Sequence, residues 1–420
     1  TPVLIVGGGI GGLVTAMSLH QGGIPCQVFE SVASLKPLGV GINVLPHAVR
    51  ELTELGLRDR LEQEAVETAE LSYFSKRGDL IWSEPRGKAA GYHWPQFSIH
   101  RGTLQMALFD ACVERIGADN VLTDQHLVGW DVDHQGVTAH FTSSAGGNTH
   151  HTYHGSVMIG ADGMHSTVRK TLYPDEGVPI WNGAVLWRGV SEARGFLTGR
   201  TMIMAGHEFQ KFVCYPIQPV SDVNECRLTN WVAEKKYDPQ QGWRREDWNR
   251  QGDLSDFLPD FERWRFPWLP VPDLIRSARQ VLEYPMVDRD PLKQWSFGRV
   301  TLLGDAAHPM YPIGSNGASQ AILDARVLTR SMQLHGVTPA ALLAYENERR
   351  EPTSKIVMAN RGNGPEQVMA LVEQRRPDGF ERIEDVLSEK ELAGTAARYK
   401  ALAGFDKDEL NNRPPIVHNH

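Results

Sequence analysis

The chain has little of what marks secreted, metal-stapled, membrane-spanning or nucleic-acid-binding proteins. Its 420 residues include only four cysteines, Cys26, Cys112, Cys214 and Cys226. They lie apart without CxxC spacing, which argues against a disulfide framework and a structural zinc site and makes the reducing cytoplasm the expected compartment. There is no long basic run, and the formal net charge is -8, from 43 basic and 51 acidic residues. Nucleic acid and anionic membrane surfaces are therefore poor partners. No apolar run is long enough for a membrane span, and the first residues carry no signal-peptide pattern. His150, His151 and His154 do not make a metal site, because adjacent strand positions face opposite ways and no third ligand follows at suitable spacing. A nucleophile–His–acid set is also lacking.

What is present points to a large α/β protein that handles a small molecule. With 420 residues and 41% hydrophobic content, the expectation is two packed domains or one interleaved pair. Val3-Leu4-Ile5-Val6 reads as a buried parallel strand, followed at once by Gly7-Gly8-Gly9-Ile10-Gly11-Gly12. Gly7, Gly9 and Gly12 match GxGxxG: the first allows the tight turn, the second a close approach of backbone to a pyrophosphate, the third close packing of helix on strand. A second strand, Gln27-Val28-Phe29-Glu30, ends in an acid suited to ribose hydroxyls. Glu30 disfavours a 2′-phosphate, so FAD or NAD fits this grip better than NADP.

Further along, residues 37–43 form a loop in which Gly39 and Gly41 either make a turn or let backbone lie flat on a planar ring. A helix over 45–57 follows, capped by Gly56. Strands are expected between 71 and 82, broken by 83–87, then a helix capped by Thr103. Arg101 is either a solvated helix-end residue or a partner for a phosphate or flavin edge. Residues 126–142 read as a hairpin with its turn at 133–136. Four strands, 184–190, 201–205, 211–217 and 226–233, read as one antiparallel sheet. On it Tyr215 is the leading substrate-side candidate, with Met202, Phe212 and Trp231 behind it, the alternative being that all four are sheet core. Arg188 either pairs with a substrate carboxylate or braces the sheet. The segment 238–272, rich in Trp243, Trp248, Trp264 and Trp268, is either a lid helix or packing against the sheet. Helices are expected over 339–359, with Glu346, Glu348, Arg349, Arg350 and Glu351 on a solvated face, and over 381–402. The tail offers either a homodimer contact or simple cover.

Two more strand–acid–glycine sites complete the pattern. Val157-Met158-Ile159 runs into Gly160-Ala161-Asp162-Gly163-Met164-His165-Ser166, where Ser166 can cap a helix. The strand 299–303 runs into Gly304-Asp305 and then Pro312-Ile313-Gly314-Ser315-Asn316-Gly317-Ala318, which opens a helix whose free N–H groups favour an anion. With all three in order, the chain resembles the class A flavoprotein aromatic hydroxylases, FAD-dependent monooxygenases of the para-hydroxybenzoate hydroxylase fold. Within them it is similar to salicylate hydroxylases and more closely to phenazine hydroxylases, on residues 37–43, 82–87, 98–102 and 284–292.

The resemblance implies a Rossmann-type α/β FAD-binding domain (1–71, 100–175, 285–360) interleaved with an antiparallel-sheet substrate domain (72–99, 176–284), and a C-terminal helical tail (361–420). It implies that Gly7, Gly9, Gly12, Glu30, Gly41, Arg101, Val128, Asp162, Asp305, Gly317 and Ala318 serve FAD. Pro312 and Tyr215 are the candidates beside the reacting centre, and His308 is structural. Lacking a second GxGxxG, the chain takes NADH or NADPH as a transient donor on the FAD domain. The implied reaction uses O2 and a flavin C4a-hydroperoxide to hydroxylate an aromatic, carboxylated ring, with CO2 expelled if the carboxylate sits at or beside the attacked carbon. Open alternatives are epoxidation or oxidation of a polyketide-type ring, and, remotely, a non-catalytic FAD-fold carrier.

Overall fold

The computed structural model describes residues 1–144, 149–222, 225–238, 240, 250–362 and 364–418. The fully apolar run Val3–Val6 lies at the centre of a six-stranded sheet, buried on both faces as a parallel strand requires. The strand order is Ser296–Phe297, Val300–Leu302, Met158–Gly160, Val3–Val6, Cys26–Phe29, Val121–Leu122. All neighbours run parallel except the short Ser296–Phe297 edge strand. The helices Ile10–Gln21, Arg101–Ile116 and Gly317–His335 share the core of this sheet, with Ile10–Gln21 packed against each of the other two. A three-stranded antiparallel sheet, His126–Val132, Val137–Ser143 and Thr149–Gly155, also joins the core. Phe29 stacks on Phe141 from that sheet at 4.5 Å between ring centroids.

The four strands expected to form one antiparallel sheet are neighbours and pair antiparallel, within a larger seven-stranded sheet. Its order is Val281–Asp288, Ile180–Ala193, Arg227–Lys236, Gln210–Pro216, Thr201–His207, Glu70–Phe74, Leu80–Pro85. It is mixed, because Thr201–His207 runs parallel to Glu70–Phe74. The reason is topological: a long stretch of chain separates those two strands, and a long crossover permits parallel pairing where a short turn does not. Alternation along the strands divides the sheet into two faces. Trp187, Phe212, Cys214, Trp231 and Ala233 are buried on one, under Phe257, Phe261, Trp264 and Phe266. Trp187 and Phe257 stack at 4.8 Å. The Trp-rich segment thus packs on the sheet at Trp264, with Trp268 against it. Residues 239 and 241–249, including Trp243 and Trp248, lie outside the described residues.

Local signals account for several element ends. Gly56 (φ +69°) follows the Pro46–Glu54 helix in the left-handed conformation. The helix expected to start at Thr103 begins at Arg101 instead, with His100 before it and no side-chain cap. The strand expected to break at 83 runs on to Pro85.

The Pro339–Arg361 helix corrects another expectation, since Glu346 and Arg349 on its supposed solvated face are buried. The Ser296 N–H donates to Glu346 (2.7 Å) and Arg349 donates to Asp324 (2.7 Å), so partners inside the protein satisfy both charges. In place of one helix over 381–402, the C-terminal region forms Gln367–Arg375, Glu389–Leu402 and Lys407–Asn412. Ser388 and Glu391 form a capping box that fixes the start of the second. The tail is tied down where Arg413 donates to buried Glu51 (2.6 Å) and Arg50 donates to the Leu410 and Arg413 carbonyls (3.1 and 2.6 Å). Among the described residues no helix is long and apolar enough to cross a membrane.

Candidate functional site

Three strand ends of the six-stranded sheet supply the first half of the site. After Val3–Val6, Gly7 adopts φ +111°, and a Cβ there would lie 2.4 Å from the Ala161 carbonyl oxygen. A Cβ on Gly12 would lie 2.0 Å from the Gly7 oxygen, whereas one on Gly9 would meet nothing within 4 Å. Two of the three glycines are therefore demanded by packing, and Gly9 faces open space. Gly9 is also the N-cap of the Ile10–Gln21 helix and no side chain caps it, so its first N–H groups are open to a ligand. Glu30 is held beside this turn, accepting from Gly8 N–H (2.6 Å) and Val32 N–H (2.8 Å).

The second strand end carries Asp162, whose carboxylate is turned to its own helix. It accepts from the Ser166 hydroxyl (2.5 Å) and Val168 N–H (3.1 Å). Ser166 in turn caps the Thr167–Leu172 helix by accepting from Arg169 N–H (2.8 Å). Burial raises the Asp162 carboxyl and these bonds oppose it. At the third strand end, Asp305 opens into the cleft beside Gly317, and Arg101 lines the same cleft.

Behind Asp305, His308 is buried with Nε2 2.5 Å from Asp324, which also accepts from Arg349 and from Gly304 N–H (3.1 Å). Burial alone would raise the Asp324 carboxyl, but His308 and Arg349 hold it below its usual range. His308 is thus a brace under the turn.

From Tyr311 the chain bends sharply to reach the Gly317–His335 helix. Gly314 (φ +71°) and Ser315 (φ +55°) are both left-handed, a costly conformation for serine that surrounding contacts must hold. Those contacts come from the C-terminal region. The Tyr399 phenol donates to Asn360 Oδ1 (2.9 Å), Asn360 donates to the Tyr311 carbonyl (3.0 Å), and a Cβ on Gly314 would strike the phenol oxygen at 2.1 Å. No side chain caps the helix, so its first N–H groups remain open next to Asp305.

The seven-stranded sheet closes the cleft from the other side, leaving a cavity of about 250 Å³. Gly41, Arg101, Asp305, Pro312, Gly317 and Ala318 line it from one half, and Arg188, Met202, Tyr215, Val232, Glu234 and Tyr284 from the other. Gly41 is where the halves touch. Its N–H donates to Asn230 Oδ1 (2.7 Å), its carbonyl accepts from Arg188 Nη2 (2.7 Å), and a Cβ would lie 2.5 Å from Asn230. The 37–43 loop is therefore a close approach of backbone to the opposing sheet, beyond a mere turn. Arg188 also donates to the Tyr284 hydroxyl, while its buried Nε has no hydrogen-bond partner. Burial pushes the Tyr215 phenol up to about 12, with Arg188 opposing.

Two substrate-side expectations fail. Phe212 and Trp231 point to the opposite face, 6.3 Å apart between ring centroids in the aromatic core. Period-two alternation forces this, since Val213 and Tyr215 face the cavity and Trp231 pairs with Cys214. Val128 lies outside the cleft, 57% exposed at the bulge where its strand slips against Val137–Ser143. Sequence reasoning missed Met164, Met204, Val232, Glu234, Tyr284 and Glu366. Alternation outward from Tyr215 and Arg188 would have found Val232, Glu234 and Met204, but nothing in the sequence marked Glu366.

The residues fit a bound dinucleotide: Gly9 leaves space that a Cβ would fill, and neither the Ile10–Gln21 helix nor the Gly317–His335 helix, which pack together, has a side-chain cap at its N-terminus. Comparison with known proteins agrees. A family model described as an FAD binding domain matches residues 1–237 and 276–360. The chain is 45% identical to the phenazine 1,6-dicarboxylic acid hydroxylase of Lysobacter antibioticus over 363 residues, covering 86% of this chain and 89% of that one. It is 29% identical to the 3-hydroxybenzoate 6-hydroxylase of Polaromonas naphthalenivorans, covering 86% and 87%. Its fold superposes on a salicylate hydroxylase substrate complex with a TM-score of 0.74 at 24% identity, covering 98% of each chain.

Proposed function

Since this chain belongs to the FAD-binding-domain family and is an FAD-dependent, NAD(P)H-consuming aromatic hydroxylase, we propose that its substrate is a carboxylated, phenazine-like ring. In balance, an aromatic C–H, O2, NAD(P)H and a proton give the phenol, NAD(P)+ and water. Bound FAD supplies the redox chemistry, taking electrons from NAD(P)H and passing one oxygen atom of O2 to the ring.

The chain's own residues bind, orient and exclude water. In this reading the Gly7–Gly12 turn and the open helix end at Gly9 take the pyrophosphate, and Glu30 takes a ribose hydroxyl. Asp305 and Arg101 hold the middle of the cofactor. The N–H groups of Gly317 and Ala318 set a positive helix end where reduction leaves negative charge. Met202, Met204, Val213 and Val232 keep the opposite wall dry.

The observation that carries the substrate class is Arg188. It is fixed on the cavity wall by Gly41 and Tyr284, lies beside Tyr215, and keeps a buried N–H without a partner. A guanidinium so placed matches a planar carboxylate. Arg188→Met should weaken phenazine-1-carboxylate binding by about 10- to 100-fold, as loss of a charge-assisted pair does, while a ring without the carboxylate binds as before. Equal losses for both rings, at normal FAD content, would remove Arg188 from substrate recognition. Product mass and CO2 release in the same assay decide whether hydroxylation expels the carboxylate.

A further inference from the structure

The cavity has a second charged end that the proposed reaction does not use. Lys211, Glu234 and Glu366 are 4%, 8% and 6% exposed. Lys211 Nζ lies 3.3 Å from Glu234 Oε1 and directly contacts Glu366 Oε2. Both glutamates line the same cavity as Arg188 and Tyr215. Lys211 pairs with Glu234 across neighbouring strands, and Arg188 pairs with Val232, one alternation further along the same face. Glu366 comes from the C-terminal region, so the tail contributes a wall to the cavity.

Two carboxylates share one ammonium, which leaves one surplus negative charge in a buried place. Such a charge is costly unless something completes it. Burial raises the Glu234 carboxyl, Lys211 opposes this, and the neighbouring Glu366 adds to it. Lys211 is engaged with both acids, and no further cation among the described residues is paired with either. A hydrogen-bond donor on a ligand would offset that cost, whereas a second anion would increase it.

Resting on the carboxylated-ring reading above, we propose that Glu234 and Glu366, clamped by Lys211, form the acceptor end of the substrate cavity. They select a ring with a carboxylate on one edge and a hydrogen-bond donor on the opposite edge, and they reject a second carboxylate. Arg188 takes the first edge and the glutamates take the second. This separates the chain's specificity from the dicarboxylate in the name of its Lysobacter relative.

The test uses the FAD-loaded enzyme and follows flavin absorbance during titration with three rings: 6-hydroxyphenazine-1-carboxylate, phenazine-1-carboxylate and phenazine-1,6-dicarboxylate. Affinity should fall in that order, with at least a roughly tenfold gap between the first and the last. Glu366→Gln, which removes the surplus charge, should shrink that gap about tenfold, mostly by tighter dicarboxylate binding. Glu234→Gln should do the same, and it serves if Glu366→Gln does not retain FAD. Dicarboxylate binding as tight as the hydroxy acid in the unaltered enzyme, or a gap unchanged in a glutamine variant that retains FAD, overturns the inference while leaving the carboxylated-ring reading intact. No binding of any of the three sinks both.

Discussion

Acidification should destabilise the protein through His47. This residue lies fully buried on the Pro46–Glu54 helix, stacked on Phe405 of the C-terminal region at 4.9 Å between ring centroids. Neither ring nitrogen makes a full hydrogen bond, and the Asn316 side chain is a weak polar neighbour of the ring. Burial first, then the Arg413 and Arg349 charges, lower its pKa from 6.5 to about 3, with nearby Asn316 opposing. The folded state therefore keeps His47 neutral where the unfolded chain takes up a proton. Stability rises with pH across the window between about 3 and 6.5 and falls as pH drops through it. At 1.36 kcal/mol per unit, the native state should lose about 2 kcal/mol between about pH 7.5 and pH 5 through this residue alone.

His47→Leu, of similar volume, should abolish that loss. It should also be at least as stable at neutral pH, because two unsatisfied buried nitrogens disappear. Urea unfolding of both proteins across the pH range measures the difference directly. Parallel stability curves would mean that the ring takes up a proton without unfolding, and the reasoning from burial would be wrong.

The glycine turn separates packing from binding. Gly12→Ala drives a Cβ against the Gly7 carbonyl and should cost several kcal/mol of stability or prevent folding, whereas Gly9→Ala should fold normally and lose at least about tenfold in FAD affinity. Equal FAD affinity in Gly9→Ala and the unaltered protein, read by fluorescence titration, would show that the cofactor does not pass that point. Tyr399→Phe keeps the ring but removes the bond to Asn360, costing about 1 kcal/mol. FAD content should hold, but the Gly314–Ser315 bend should loosen and more NAD(P)H should end as H2O2; an unchanged product yield per NAD(P)H would return Tyr399 to a packing role.

The glycine turn to which we assign the cofactor was legible as a turn because its geometry admits few residue types. A Cβ at Gly7 or Gly12 would collide with backbone, and each acid that ends a strand stands where the sheet delivers it. The substrate half was read by size and chemistry instead of by face. Tyr215 and Phe212 have opposite parity on one strand, so both could not point into the cavity, and the sheet sends Phe212 with Trp231 into the other core. Charge misled on the Pro339–Arg361 helix, because Glu346 and Arg349 are buried with partners that lie far away in sequence. Nor did the tail announce its part: Glu366 and Tyr399 reach the site from segments whose local pattern says only that they are helical or polar.

The most direct test of the whole account is turnover of phenazine-1-carboxylate under 18O-labelled O2, with NAD(P)H consumption and product mass followed together. One labelled hydroxyl oxygen should appear in the product for nearly every NAD(P)H consumed, and far less product should form with Arg188→Met. NAD(P)H consumption that yields only H2O2, with no labelled ring product from this or related aromatic acids, would contradict it.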